Sequence, residues 1–288
     1  MKMLIRLILI GLVLPVQILF SQHKPAYQLY TQDGQELSYQ GLLDSLATAD
    51  VVLFGEFHNN AVAHWLQLEL TKSLYEAELN LVLGAEMFEA NQQDVLEAYL
   101  TDSITNQDLH NRIKLWPNFK TDYKPLLDYA QQENIAFIAT NIPRPLANKV
   151  YKNGGFKALD SLSQEELKWV APQPILFNPE LPSYKRMLDM MGDHGTIDLV
   201  KAQAIKDATM AYFIRKYSQP NRLVLHFNGS YHSNYFEGIY WYLKQHQPDL
   251  NILTISLVEQ AEVNTLLPEH SDLANFIICV DQDFTKTY

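Results

Sequence analysis

Two short motifs each place a histidine three residues after a glycine, close behind an apolar run. The first is GEFH at 55–58, which follows VVLF, and the second is GSYH at 229–232, which comes just after LVLHF. Glycine allows a sharp exit from a strand and a close approach of the backbone. The histidine can then point back over the strand end, so the two motifs predict one site that contains His58 and His232.

Carboxylates accompany both histidines of this predicted site. Glu56 is part of the first motif, and Glu86 follows the apolar run LVLGA. Two imidazoles and two carboxylates form a plausible ligand set for a divalent metal ion. The same four residues would also suit general acid–base catalysis, if burial brings the pKa of a carboxylate near that of a histidine. The third interpretation is structural: the histidines hydrogen-bond loop backbone and stabilise the strand ends.

The elements that would position these residues alternate between strands and helices. The predicted strands are continuous apolar runs at 51–54, 81–85, 135–140, 223–227, 252–258 and 276–280. Such runs are typical of strands covered on both faces, and their alternation with helices is typical of a parallel sheet. We therefore predict an α/β fold with a mostly parallel central sheet flanked by helices. Ligands of such sheets bind beyond the carboxyl ends of the strands, where all four candidate residues fall.

Helical patterns occupy the segments between the strands. One pattern at 61–78 places four apolar residues near one face of the helix, namely Ala61, Trp65, Leu68 and Leu74. In a second helix, at 91–100, Asn91 lies where an N-cap residue belongs. The segment 196–217 has the pattern of one long helix.

One region between two predicted strands has no convincing strand of its own. It is rich in proline and carries a capping-box pattern from Ser163 to Glu166, which predicts the start of a short helix. We expect a smaller all-helical subdomain here. The predicted organisation is an insertion at 146–195 within an α/β domain formed by 22–145 and 196–288.

Composition and missing motifs exclude several function classes. Acidic residues number 33 against 22 basic ones, a formal net charge of -11. This balance disfavours nucleic acid as a partner, because phosphate binding needs clustered Lys and Arg. The sequence has no glycine-rich phosphate loop, no G-x-S-x-G elbow and no Cys–His pair. Nucleotide, serine-hydrolase and thiol chemistry are therefore disfavoured.

The first 21 residues have the pattern of a secretory signal peptide. Lys2 and Arg6 precede an apolar run at 7–14, and Ser21 suits a cleavage site. The alternative is an uncleaved anchor. We expect an exported protein of the periplasm or cell envelope. No cysteine lies near the junction to carry a lipid, and Cys279, the single cysteine, is expected to be a buried, inert thiol.

Several segments together resemble one protein family. They are GEFHNNAVAHWLQLEL at 55–70, LGAEMFEANQQDVLEAYL at 83–100, Trp116 with YKPL at 123–126, ATNIPR at 139–144, DATMAYFI at 207–214 and FNGSYH at 227–232. The chain resembles the ChaN-like haem-binding uptake proteins, of the larger group that includes Tiki metalloproteases and erythromycin esterases. The resemblance implies a parallel α/β sheet with a smaller helical subdomain. It also implies haem or iron acquisition at the bacterial envelope, with haem at or near a dimer interface.

The resemblance also suggests a cofactor and partners. Haem would be the cofactor, and the family suggests a tyrosine as the axial ligand of its iron. The candidate haem contacts are Arg144 for the propionates, His64 at the pocket edge, and the tyrosines Tyr123, Tyr184 and Tyr231. The expected partners are haem, a second copy of the chain and outer-membrane uptake machinery.

Two main functions remain open from the sequence. The first is an exported haem- or iron-binding protein of the envelope, with haem in an apolar cleft. The alternative is a metal-dependent hydrolase of the peptidase or esterase kind, in which His58 and His232 hold a divalent ion and Glu56 or Glu86 acts as base. A third is an envelope scaffold whose strand-end residues are only structural.

Overall fold

A single sheet forms the centre of the protein in a computed structural model, which describes residues 24–192 and 195–288. The strands follow the spatial order β2-β1-β8-β7-β3-β6-β4-β5. Their bounds are β1 Tyr27–Thr31, β2 Glu36–Leu37, β3 Val51–Glu56, β4 Leu81–Glu89, β5 Ala136–Asn141, β6 Leu223–Gly229, β7 Ile252–Gln260 and β8 Phe276–Asp281.

Most of the sheet is parallel. Strands β3 to β8 pair in parallel, whereas β1 pairs antiparallel with both β8 and β2 at one edge. Every residue of β3, β6 and β8 is buried, as expected for strands covered by helices on both faces. The α/β prediction with a mostly parallel sheet is confirmed. The short strands β1 and β2 were not predicted, because their mixed burial breaks the apolar pattern.

Helices cover both faces of this sheet. Helix α2 and α5 pack on one face, and α8 and α9 on the other. The bounds are α1 Tyr39–Leu46, α2 Ala61–Glu76, α3 Gln93–Leu100, α4 Asn106–Arg112, α5 Lys124–Gln132, α6 Arg144–Lys152, α7 Pro182–Met191, α8 Ile197–Tyr217 and α9 Ile239–His246.

Two local predictions about these helices are wrong. In α2 the buried face is centred on Leu66 and Leu70, whereas Trp65 is 50% exposed. At the start of α3, Asn91 is not the N-cap. A preceding 3-10 turn is capped instead by Glu89, whose backbone N–H donates to the side chain of Gln92.

The described residues between β5 and β6 form helices, 3-10 turns and the loops that join them. This region contains α6, α7, two 3-10 turns and α8. No strand occurs among the described residues from 142 to 222. The Ser163–Glu166 capping box is present and opens a 3-10 turn, Glu166–Trp169. The boundaries at 146 and 195 stay predictions.

The residues before 24 include the predicted signal peptide, which therefore lies outside the described residues. In the described ranges, no helix combines the length and apolarity that a membrane crossing requires.

The sheet order explains why the two G-x-x-H motifs meet. Strand β3 lies between β6 and β7, and in its parallel pairing with β6 residue Glu56 is opposite Gly229. The GEFH and GSYH motifs therefore leave neighbouring strands at the same carboxyl edge, the edge where ligands of parallel sheets bind.

Candidate functional site

The first half of the site is an imidazole held by a buried carboxylate. Glu56 ends β3 and is 1% exposed, and its Oε1 lies 2.7 Å from Nδ1 of His58. The His58 side chain is 28% exposed, and its ring packs against Trp116 at a centroid distance of 4.7 Å. A carboxylate on Nδ1 sets the tautomer of a neutral imidazole, so that Nε2 carries the free lone pair.

Three further side chains hold Glu56 in place. The Tyr123 hydroxyl donates to Oε1 at 2.7 Å, and the Gln67 amide donates to Oε2. Nδ1 of His64 lies 3.7 Å from Oε2, and Nε2 of the same ring lies 3.1 Å from the carbonyl oxygen of His58. Tyr123 is positioned by a single π-helical turn, Phe119–Tyr123, a feature often found at functional sites. These bonds satisfy a carboxylate that is out of contact with water.

The second half of the site is a histidine between two carboxylates. Nδ1 of His232 lies 2.5 Å from Oδ1 of Asp207, and Nε2 lies 3.2 Å from Oε1 of Glu86. All three side chains are buried. Oε2 of Glu86 accepts the backbone N–H of Gly229 at 2.8 Å, which fixes the carboxylate against the neighbouring strand end.

The ion pairs shift the pKa values of these groups. Burial disfavours the charged form of each group. Even so, the hydrogen bond to His58 keeps the pKa of Glu56 below its ordinary value, and Glu56 and Glu86 raise the pKa of His58. The carboxylates of Glu86 and Asp207 outweigh burial and raise the pKa of His232 to about 10. His232 is therefore an imidazolium at neutral pH.

Gly229 lies between the two halves. A Cβ atom on this residue would be 2.8 Å from Nε2 of His58 and 3.5 Å from Oε2 of Glu86. Only a residue without a side chain allows the imidazole this close to the strand end. The glycine of the second motif, Gly229, thus has a steric reason.

A cavity of about 500 Å³ opens beside His58. Its wall is formed mainly by the two motif loops, with Gln203 from α8 and the distant residue Tyr288. The lining residues are Glu56, Phe57, His58, Asn59, Gln203, Gly229, Ser230, Tyr231, His232 and Tyr288. The cavity therefore places the candidate site at the predicted edge of the sheet.

The predicted haem contacts fall in different places. Tyr231 lines the cavity and is 37% exposed, whereas Tyr123 and Tyr184 are buried. His64 is also buried and lies behind Glu56, away from the cavity wall. Arg144 is exposed at the start of α6, where its backbone N–H donates to Glu89, and it does not line the cavity.

The predicted metal set is not assembled. Within residues 24–192 and 195–288, no group of three or more His, Cys, Asp or Glu side chains could hold a metal ion. Glu56 is bonded to Nδ1 of His58 and both nitrogens of His232 face carboxylates, so the two histidines belong to different hydrogen-bonded groups.

Several residues of the site were missed in the sequence. Asp207 and Gln203 lie on α8. The signal that could have identified Asp207 is its place at the start of DATMAYFI, one of the segments that carry the family resemblance. Gln67 and Tyr288 carried no local signal. His226, for which the sequence offered no partner, is fully buried; its ring nitrogens bond Thr140 and Asn228, and burial lowers its pKa to about 4.

A family model described as haem-binding uptake, Tiki superfamily, ChaN matches residues 42–243. The chain belongs to this family. The resemblance inferred from the motifs is thereby confirmed. No protein with a curated description matches the chain in sequence.

One solved structure supports the same fold. The chain is similar to the structure of cofacial haem binding to ChaN of Campylobacter jejuni, with a TM-score of 0.64 and 16% identity over 88% of this chain and 97% of that chain. The type III effector HopBA1 matches with a TM-score of 0.48 and 13% identity, over 84% of this chain and 92% of that chain. At these identities, the likeness to ChaN concerns the fold.

Proposed function

We propose that this protein binds haem in the cavity beside His58 and takes part in haem or iron uptake at the bacterial envelope. The family match supports haem binding, and the similar ChaN structure from Campylobacter jejuni is one of cofacial haem binding. The part that is specific to this chain is the place of the haem and the residue that faces its iron.

The observation that carries this proposal is the state of the His58 ring. Nδ1 is bonded to the buried Glu56, the ring lines the cavity, and no described residue forms a hydrogen bond with Nε2. A histidine nitrogen is a common axial ligand of haem iron. The carboxylate on Nδ1 orients the ring and makes Nε2 a better electron donor. His58 would hold the iron, and the iron would supply the absorption and redox properties of the bound group.

The buried tyrosines do not fit the ligand role. Ligation of ferric haem needs a phenolate, and burial raises the pKa of Tyr123 and Tyr184 far above the ordinary value. Their hydroxyls donate to Glu56 and Asp207 instead. Tyr231 is accessible, but burial raises its pKa to about 12, and its hydroxyl donates to the carbonyl of Ser183 at 2.5 Å.

The cavity offers both aromatic and polar contacts to a ligand. Its volume of about 500 Å³ lies within the ordinary range for small-molecule sites, about 300–1,000 Å³. Phe57, Tyr231 and Tyr288 offer aromatic surface, and Asn59 and Gln203 offer hydrogen bonds. Arg144 is not part of this wall, so the propionates would be met by amides or solvent.

Haem titration of the purified protein tests the proposal. We expect a Soret band that saturates at one haem per chain, and a large loss of that band in His58→Ala. Tyr231→Phe is the matched control, because it changes an aromatic residue of the same wall and keeps the ring. A wild-type protein without a Soret shift would overturn the proposal. An unchanged Soret band in His58→Ala, together with a loss of that band in Tyr231→Phe, would show that Tyr231 and not His58 is the ligand.

Export and assembly are further parts of the proposal. The charged and apolar pattern of residues 1–21 supports export. Sequencing the N-terminus of the protein from a periplasmic fraction tests this, and retention of residue 1 would contradict cleavage. We also propose that two chains pair around haem and exchange it with outer-membrane uptake machinery, as the resemblance to the family suggests; light scattering with and without haem tests the pairing.

No observation favours the metal-dependent hydrolase. Its proposed ligands Glu56, His58, Glu86 and His232 form two separate hydrogen-bonded groups instead of one ligand set. Turnover of a peptide or ester that disappears in Glu56→Gln would restore this alternative.

A further inference from the structure

Residues 284–288 run across the loop that carries His58. Lys286 forms an isolated antiparallel bridge with Asn60, and the backbone N–H of Thr287 donates to the carbonyl of Asn59 at 3.0 Å. The Lys286 ammonium also pairs with Glu259 at the end of β7. We call residues 284–288 the clasp, because these contacts hold it to the loop after β3.

The clasp is also bonded to the polar network behind His58. The hydroxyl of Thr287 donates to Oδ2 of Asp122 at 2.7 Å. The amide of Asn118 donates to the same oxygen at 2.6 Å and to the carbonyl of His58 at 2.8 Å. Asp122 and Asn118 are both buried. Three hydrogen bonds in sequence therefore join the clasp to the backbone of His58, the residue that faces the cavity.

The last residue of the clasp is an aromatic side chain at the cavity. Tyr288 lines the cavity and is 60% exposed. The contacts that hold the clasp come from the preceding residues Lys286 and Thr287, so the exposed Tyr288 ring adds little burial to the fold itself. A ring held beside a cavity without being buried is available to pack against a ligand.

We propose that Tyr288 is a wall of the ligand cavity and that the clasp holds its ring against the bound haem. This inference rests on the proposed function. Stacking of an aromatic ring on a flat conjugated ligand adds attraction beyond simple burial. The ring, and not its hydroxyl, provides the contact.

Haem titration of Tyr288 variants tests this directly. We expect Tyr288→Ala to bind haem about fivefold to tenfold more weakly than wild type, the effect of losing one aromatic contact. Tyr288→Phe should bind within about twofold of wild type, since it keeps the ring. Tyr151→Ala is the control, because Tyr151 is also an exposed tyrosine, on α6, and does not line the cavity.

A second measurement follows the clasp itself. Amide hydrogen exchange at residues 286–288 should slow when haem is added to wild type, and much less when haem is added to Tyr288→Ala. Thr287→Val, which removes the hydroxyl bond to Asp122, should increase the rate of haem release.

The outcomes separate this inference from the proposed function. If wild type does not bind haem, both are overturned. If wild type binds haem but Tyr288→Ala binds equally well, only the wall role is overturned. A loss in Tyr288→Phe as large as that in Tyr288→Ala would also overturn it, because the hydroxyl and not the ring would then be the contact.

Discussion

Replacing Gly229 with alanine tests the position of His58 most directly. The backbone at Gly229 has φ −56° and ψ 137°, which an alanine adopts without strain. The new methyl carbon would lie 2.8 Å from Nε2 and 3.1 Å from Cε1 of His58, whereas ordinary contacts begin at 3.4 Å. The imidazole must therefore move by a few tenths of an ångström or more.

The magnitude follows from two opposing terms. Overpacking of this kind costs about 1–3 kcal/mol. Replacing glycine at a compatible position restricts the unfolded chain and returns about 0.4–1 kcal/mol. We expect Gly229→Ala to lower the free energy of unfolding by about 0.5–2 kcal/mol. The same change should weaken haem binding, because the displaced ring carries the proposed ligand.

Urea unfolding of a double-mutant cycle provides the assay. In the His58→Ala background the ring is gone, so Gly229→Ala should be neutral or stabilising, with a coupling energy of about 1 kcal/mol or more. Gly55→Ala is the control. Its Cβ would meet backbone atoms, Cα of Ser230 at 2.9 Å and the carbonyl oxygen of Ile255 at 3.0 Å, so its cost should persist without His58. An equal cost of Gly229→Ala in both backgrounds would refute the placement of the imidazole.

Three further predictions concern protons and hydrogen bonds. Haem affinity should increase as the pH rises through the pKa of His58, which lies above the ordinary 6.5, because the imidazolium has no lone pair on Nε2; a titration from pH 5.5 to 9 that shows no dependence would contradict this. The imidazolium of His232 has a pKa near 10 in the folded state, so it stabilises the fold fully below about pH 6.5 and loses that effect as the pH rises toward 10. The difference in unfolding free energy between wild type and His232→Gln should therefore shrink over this window, by at most about 1.4 kcal/mol per pH unit; a constant difference would argue against the ion pairs with Glu86. Tyr123→Phe should cost about 1.5–3 kcal/mol in urea unfolding, the contribution of a hydrogen bond to a charged group, and a cost near zero would show that Glu56 does not depend on it.

Much of the fold was predictable from local patterns. The apolar runs at β3, β4 and β6 are continuous because helices cover both faces, and this burial leaves a direct trace in the sequence. The strand β1, next to the edge of the sheet, was not predicted, because only two of its five residues are buried. In α2 the apolar residues extend around much of the helix, so periodicity alone did not show that Trp65 faces outward.

The candidate site, like the fold, was predictable only in part. Its place at the carboxyl ends of β3, β4 and β6 was predictable, since parallel strands end at one edge. The partners of each histidine were not predictable, because they come from distant parts of the chain. Asp207 is 25 residues from His232, and Tyr123 is 67 residues from Glu56; neither separation has a repeating geometry that a sequence pattern could reveal.

The sequence by itself determined the buried parallel strands, the glycine exits and the family, because each depends on residues that are neighbours in the chain. Only the tertiary structure decided that His58 and His232 differ in their exposure and in the carboxylates around them. One is held by Glu56 beside an open cavity, and the other is enclosed between Asp207 and Glu86. The physical reason is that the charge and accessibility of an imidazole depend on the groups packed around it, and folding brings those groups from separate helices, strands and the clasp.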